Sequence, residues 1–398
     1  MMPSQALRSL RHRNFRLYFI GQLISMTGTW MQITAQMWLV YRLTHSAALL
    51  GLVGFAGSAP YMILGLFGGA AADRYDRRKL LLWTQVAAMV QALILAALTM
   101  SGHVRVWEIF ILAAALGMVS VFDMPLRQIF VVDLVERADQ GNAIALNSFI
   151  INGSRMIGPA LAGLLTAVYG EGICFLLNAV SYLAVISCLV AMSLPPAKED
   201  AGREHISFAH VRQGLHYVFS KPHMKRVMGL LAVLGLVGAP FVVLIPIFSD
   251  EIFHAGVRGT GWLVGAMGVG ALASSWLLAS REDCVGLKRL IGISAIGFGF
   301  AMGLFALSRR LESGLLLMAF TGWGMMSAFV ASNTYLQASI EDHMRGRVMS
   351  LFTMTFMGMA PLGNLLAGMA ADVVGAPTTV AFGGVLCVLS GLAFLRQN

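Results

Sequence analysis

The chain has 398 residues, of which 58% are hydrophobic and only 12% charged, and its mean hydropathy is +0.75. A soluble globular chain carries about 25% charged residues, so this composition excludes that class and leaves a polytopic membrane protein. The formal charge of +9 does not point to nucleic acid, because the cations gather in the short segments between apolar runs.

In chain order, a basic N-terminus (Arg8, Arg11, Arg13, Arg16) leads into an apolar run too long for a signal-peptide core. With no small-residue cleavage site behind it, this run is read as an uncleaved first span. Twelve spans are expected, near 15–42, 47–72, 79–101, 107–127, 142–168, 172–194, 226–250, 260–280, 287–308, 314–337, 346–372 and 377–395. In span one, Gln22, Ser25, Thr29, Gln32 and Gln36 recur at intervals of 3, 4, 3 and 4 and share one helical face. A helix surrounded by lipid does not hold such a stripe. Gly65 and Gly69 in span two, and Gly261 and Gly265 in span eight, have the spacing of close helix approach.

Span five holds the one deep charge. Arg155 lies thirteen residues after Asn142, roughly 20 Å along a helix, near the middle of a hydrocarbon layer about 30 Å thick. A guanidinium there costs roughly 2.5–3.5 kcal/mol on insertion scales, so it must face protein or a wet cavity. Ser148, Asn152, Arg155 and Pro159 share its face. The bland alternative is an arginine bonded to neighbouring backbone carbonyls. Cavity lining is the reading adopted, because ionisable groups inside a membrane are usually functional.

Between spans six and seven comes the one long linker, 195–222, where Phe208, Val211, Leu215 and Val218 line one face of a short helix. His205, His210 and His216 nearby have no metal-pair spacing. Span ten offers Ser327, Thr334 and Gln337, and span eleven Met357, Pro361 and Asn364. The four cysteines show no close pairing, and no metal or cofactor is expected. The 25 methionines are read as ordinary apolar packing ahead of a deformable ligand wall.

Placing the N-terminus in the cytoplasm puts 22 Lys and Arg on the inside and five outside, with Arg155 completing the 28. That bias puts both termini in the cytoplasm. The halves also repeat: at an offset of 205, Glu136, Gly141, Gly163 and Gly170 fall on Glu341, Gly346, Gly368 and Gly375. The domains are therefore read as a six-helix bundle over 1–194, a linker with an amphipathic helix over 195–222, and a second bundle over 223–398.

The loop after span two reads Gly69-Ala70-Ala71-Ala72-Asp73-Arg74-Tyr75-Asp76-Arg77-Arg78-Lys79. It resembles the signature loop of the major facilitator superfamily, with Asp76 in the place of a second glycine. The segments GTWMQ at 28–32, DMPLRQ at 123–128, NAIALNS at 142–148, GPALAG at 158–163 and RGRVMSL at 345–351 are similar to its bacterial exporter branch. The resemblance implies an all-α membrane fold of twelve helices in two bundles, with helices 1, 4, 7 and 10 around a central cavity. It also implies a gating clamp of Gly69, Asp73, Arg74, Arg77 and Asp123. In that clamp Asp73 faces the start of helix 11, where the dipole favours an anion, and Asp123 pairs with Arg74 or Arg77. Gly153, Gly158, Pro159 and Gly163 resemble the exporters' helix-five motif, and Gly158, Pro159 and Gly163 are read as a hinge.

These expectations converge on a carrier and not an enzyme, since GxSxG, HExxH and paired intramembrane aspartates are all missing from the sequence. No GxxxxGK[ST] segment is present either, so ATP hydrolysis by a P-loop is excluded. The chain is expected to export an amphipathic, siderophore- or drug-like small molecule across the inner membrane by alternating access. Gln22, Thr29, Gln32, Gln36, Asn152, Arg155, Thr334 and Gln337 are expected to line the substrate cavity. Family resemblance implies proton antiport, with Asp123 the best candidate carboxylate. Proton-coupled uptake is the runner-up and an intramembrane enzyme or scaffold a distant third. The protein is expected to work as a monomer in the lipid bilayer.

Overall fold

The structure, a computed structural model, describes residues 7–74, 76–192, 208–279, 286–341 and 344–397, without the side chains of 66–74, 208–211 and 279. Twelve long helical segments follow one another among these residues. They are α1 (Arg13–Thr44), α2 (Ala47–Arg74), α3 (Arg77–Met100), α4 (Val106–Asp133), α5 (Gln140–Tyr169) and α6 (Glu171–Ala191). After the linker come α7 (Pro222–Ile252), α8 (Gly256–Ala279), α9 (Leu287–Leu307), α10 (Leu311–Ser339), α11 (Arg345–Val374) and α12 (Ala376–Arg396). Ten are long and apolar enough to cross a membrane. The other two, α1 and α5, are 32 and 30 residues long and are the helices diluted by polar side chains.

Alternation of direction places the α2–α3 and α4–α5 turns, the linker and the start of α11 at one end, called here the basic end. The α1–α2, α3–α4, α5–α6, α7–α8, α9–α10 and α11–α12 turns lie at the distal end. The α1–α2 turn needs only two residues because His45 takes a left-handed conformation (φ 49°) and its N–H still reaches Tyr41 O at 2.7 Å. Such a conformation costs a non-glycine residue strain, offset here by a tight reversal.

Span seven is not the regular helix expected. It runs as α-helix to Val233, as a π turn over Leu234–Gly238, as a 3-10 stretch over Ala239–Leu244, and as π again over Phe248–Ile252. Pro240 and Pro246 each remove a donor from the ladder, and such interruptions favour functional positions.

Helices α1, α3, α5 and α6 pack together in the first half, with α2 against α4, while α8, α9, α10 and α12 do so in the second. Two seams join the halves, α2 along α11 and α5 along α8. At the distal end one apolar cluster runs through both halves, from Trp38 and Phe175 to Phe248 and Phe305. At the basic end the first half keeps a separate cluster around Phe15, Leu81, Leu126 and Phe130. The core is continuous distally and divided at the basic end.

The linker helix, Phe208–Ser220, rests against the start of α11. Val218 is buried and Leu215 exposed, whereas Phe208 and Val211 have side chains outside the described residues. Tyr217 OH and Lys221 Nζ both donate to Glu341 Oε1, at 3.1 and 2.8 Å.

Candidate functional site

The two seams show which way the halves part. A Cβ built on Gly51 would stand 2.8 Å from Gly368 Cα, and one on Gly54 would stand 3.2 Å from Asn364 Nδ2. Further toward the basic end, a Cβ on Gly358 meets only Met62, at 4.0 Å, and one on Gly65 meets only Tyr61 of its own helix. The α5–α8 seam behaves alike. Gly261 lies against Pro159 O and Gly163, and Gly268 against Arg155 O and Met156, yet a Cβ on Gly153 meets nothing within 4 Å. The glycines let the helices touch closely at the distal end, and among the described residues the approach loosens toward the basic end.

A cavity of about 330 Å³ lies between α1, α2, α4, α7, α8 and α11. Its polar groups are Thr29, Thr34 and Gln36 of α1, Ser120 of α4 and Asn364 of α11. Val242, Val243 and Val264 form the second half's apolar wall. Trp30 also lines the cavity, and the Arg155 guanidinium lies over its ring, 4.8 Å from the centroid. Gly158 makes this possible, since a Cβ there would stand 2.7 Å from both Thr27 O and Trp30 Cβ. Among the described residues no carboxylate or carbonyl bonds to Arg155. An indole face compensates part of the desolvation of a cation without cancelling its charge.

Of the predicted cavity residues, Arg155 stacks on Trp30 but is not itself among the lining residues, and the others are lining, buried or exposed. Thr29 and Gln36 line the cavity, with Thr29 Oγ1 also 3.2 Å from Tyr182 OH. Gln22 and Gln32 are buried inside the first bundle. Gln32 Nε2 donates to Gln91 Oε1 at 2.9 Å and Asn178 Nδ2 donates to Gln32 Oε1 at 2.8 Å, while Gln22 Oε1 accepts from Arg127. Asn152 is buried and donates to Ser148 O of its own helix at 2.9 Å. Thr334 and Gln337 are exposed toward the basic end of α10, where Gln337 Nε2 reaches Asn333 Oδ1 at 2.5 Å.

For the clamp, Gly69 lies within α2, and the side chains of Gly69, Asp73 and Arg74 lie outside the described residues. Arg77 bonds Asp133 at 2.6 Å. The expected pairing of Asp123 with Arg77 is corrected: Asp123 is buried and pairs with Arg127, its i+4 neighbour. It also accepts from Thr84 Oγ1 at 2.8 Å and Gln85 Nε2 at 2.6 Å. The helical spacing makes Arg127 the nearer cation, and burial demands a partner within reach.

Three groups that the sequence reading did not assign are also placed. At the distal end Tyr41 OH donates toward Asp250 Oδ2 and Glu251 Oε1, at 3.1 and 3.0 Å. Asp372 Oδ1 accepts from the backbone of Ala47 and Ala48 at the start of α2. At the basic end, Asp139 before α5 bonds Arg8 and, at 2.7 Å, His12 Nε2. These partners hold the Asp139 carboxyl below its ordinary value of 3.8, the His12 hydrogen bond most of all.

Comparison with known proteins adds a further set of findings. Residues 4–398 match a family model described as "Transmembrane secretion effector". The staphyloferrin A transporter of Staphylococcus aureus is 28% identical over 390 residues, covering 96% of each chain. The enterobactin exporter EntS of Shigella boydii is 27% identical over 395 residues, covering 96% of this chain and 92% of its own. Among solved structures the nucleoside transporter NupG superposes with a TM-score of 0.75 at 14% identity, over 97% of this chain and 98% of that one.

Proposed function

The chain belongs to the major facilitator family of transmembrane secretion effectors and is a multi-pass membrane transporter, and on that premise we propose that it exports an amphipathic, anionic small molecule by alternating access. The basic end is the cytoplasmic one, because the cations crowd there. In the conformation described, the distal seams are close-packed and the approach loosens toward the basic end among the described residues, which supports loading of the cavity from inside. Six spans repeated in one orientation support a rocking of the two bundles about this cavity.

The observation that carries this reading is Arg155. It is a cation at mid-depth, stacked on Trp30 beside the cavity, with no anionic partner among the described residues. Its donors are left for a ligand, and the apolar wall across the cavity suits the ligand's hydrocarbon part. Asp372, Asp250 and Glu251 hold the distal end closed while loading occurs. Relatives named as a staphyloferrin A transporter and an enterobactin exporter favour a siderophore-like anion.

Proton antiport is the proposed energy source, with Asp123 as the titrating group. Asp123→Asn is expected to abolish the dependence of export on an imposed proton gradient in everted vesicles, and unchanged dependence removes Asp123 from that role. Direction is read in cells lacking the protein. Export predicts that the substrate rises in the cytoplasm, whereas a fall indicates uptake.

A further inference from the structure

We propose that Asp372 is a gating residue whose single carboxylate, lent by α11, completes the first turn of α2 in the opposite half and so sets the balance between inward- and outward-open states. This rests on the alternating-access reading above.

A helix leaves its first four backbone N–H groups without intrahelical partners. In α2 the outermost and innermost of these are served locally: Ser46 N bonds Thr44 Oγ1 at 3.3 Å and Leu49 N bonds Ser46 Oγ at 3.3 Å. The two between them are not. Ala47 N and Ala48 N both donate to Asp372 Oδ1, at 3.0 and 3.3 Å, and Ser46 Oγ donates to the same oxygen at 3.4 Å. The acceptor lies 325 residues away in sequence, in the last turn of α11. An anion at a helix N-terminus also meets the positive end of the dipole.

The clasp sits where the two helices are closest, since Gly51 and Gly368 make backbone contact just below it. Any motion that opens the distal end must draw α11 away from α2, and Ala47 and Ala48 then lose their acceptor to water. Losing it favours the outward-open state relative to the inward-open one by the worth of a charged cap, roughly 5- to 30-fold in population.

The distal seam also holds Tyr41, Asp250 and Glu251, which join α1 to α7, so removing Asp372 weakens the closure without abolishing it. The α5–α8 seam meets there by backbone contact of Gly163 with Val257 and Arg258.

The test uses the full chain in nanodiscs with spin labels on His103→Cys and Arg309→Cys, exposed residues of distal turns in opposite halves. Distance distributions are compared for the parent, Asp372→Asn and Asp372→Ala. Asp372→Ala is expected to raise the long-distance fraction relative to the short by roughly 5- to 30-fold, and Asp372→Asn, which still accepts from both N–H groups but carries no charge, by less. Distributions identical to the parent's, or shifted toward the short distance, overturn the proposal. If Asp372→Ala fails to fold, Asp372→Asn alone decides by the same criterion. The measurement needs no substrate, so an absent shift counts against the clasp alone. A shift in a protein that proves to export nothing counts against the export reading alone.

Discussion

The two halves share a helical plan but fill their interiors differently. The first is threaded by polar side chains: Asp123, Arg127, Gln85 and Thr84 near the basic end, then Gln32, Gln91 and Asn178 toward the distal end. Gln91 ends that chain by donating to Leu112 O at 3.1 Å. The second is packed with phenylalanine, where Phe305 meets Phe241, Phe248 and Phe253 with ring centroids 6.2, 4.7 and 5.9 Å away. A hydrogen-bonded network admits one geometry and is costly when broken, whereas aromatic packing tolerates small shifts. The polar half is also the half that supplies Arg155 and most of the cavity's polar groups. On the export reading proposed above, recognition belongs mainly to the first bundle, with the second supplying an apolar wall.

Breaking the contrast at its strongest point gives the largest expected effect. Asp123→Ala strands the Arg127 guanidinium in the bundle and is expected to destabilise the protein by about 3–5 kcal/mol, read as a lowered unfolding midpoint in detergent. A midpoint within a degree or two of the parent's removes the ion pair from the list of what holds that bundle. A smaller contrast comes from matched changes to leucine. Gln32→Leu leaves Gln91 and Asn178 short of partners and is expected to cost about 1–3 kcal/mol, whereas Phe305→Leu, which swaps one apolar side chain for another, costs about 1 kcal/mol. Equal losses mean that the two interiors do not differ in the way described.

The smallest effect concerns the N-terminal turn docked on Asp139. With its carboxyl held below 3.8, the clasp with Arg8 and His12 is complete above that pH and is lost as pH falls through the lowered value. Hydrogen exchange of the amides of residues 7–12 is expected to quicken only in that acid range, and Asp139→Asn to quicken it at neutral pH. Exchange that ignores both changes means the turn is not held there.

Much of this was legible beforehand, and the gaps have physical causes. Twelve long helices follow from run length, and Arg155 from the cost of a charge at mid-depth. The stripe on α1 was visible, but a polar face in a membrane helix says only that lipid is absent. It does not say whether the neighbour is another helix, as for Gln22 and Gln32, or a cavity, as for Thr29 and Gln36. Asp123 with Arg127 had a local signal in the i, i+4 spacing. Trp30 had none, since its place beneath Arg155 depends on how closely Gly158 lets α1 approach. The bonds of Tyr41 to Asp250 and of Ala47 to Asp372 join residues 209 and 325 positions apart, beyond the reach of any periodicity.

The central claim, that an unneutralised arginine of the first bundle, stacked on Trp30 beside the cavity between the halves, takes the anion to be exported, is tested most directly by efflux from whole cells. The compound retained by cells lacking the protein is followed while parent, Arg155→Lys and Arg155→Ala are supplied at equal membrane abundance. The account predicts an anionic compound whose efflux falls roughly tenfold or more with Arg155→Ala, a loss of at least about 1.4 kcal/mol, and less with Arg155→Lys. Efflux by Arg155→Ala at the parent's rate contradicts it.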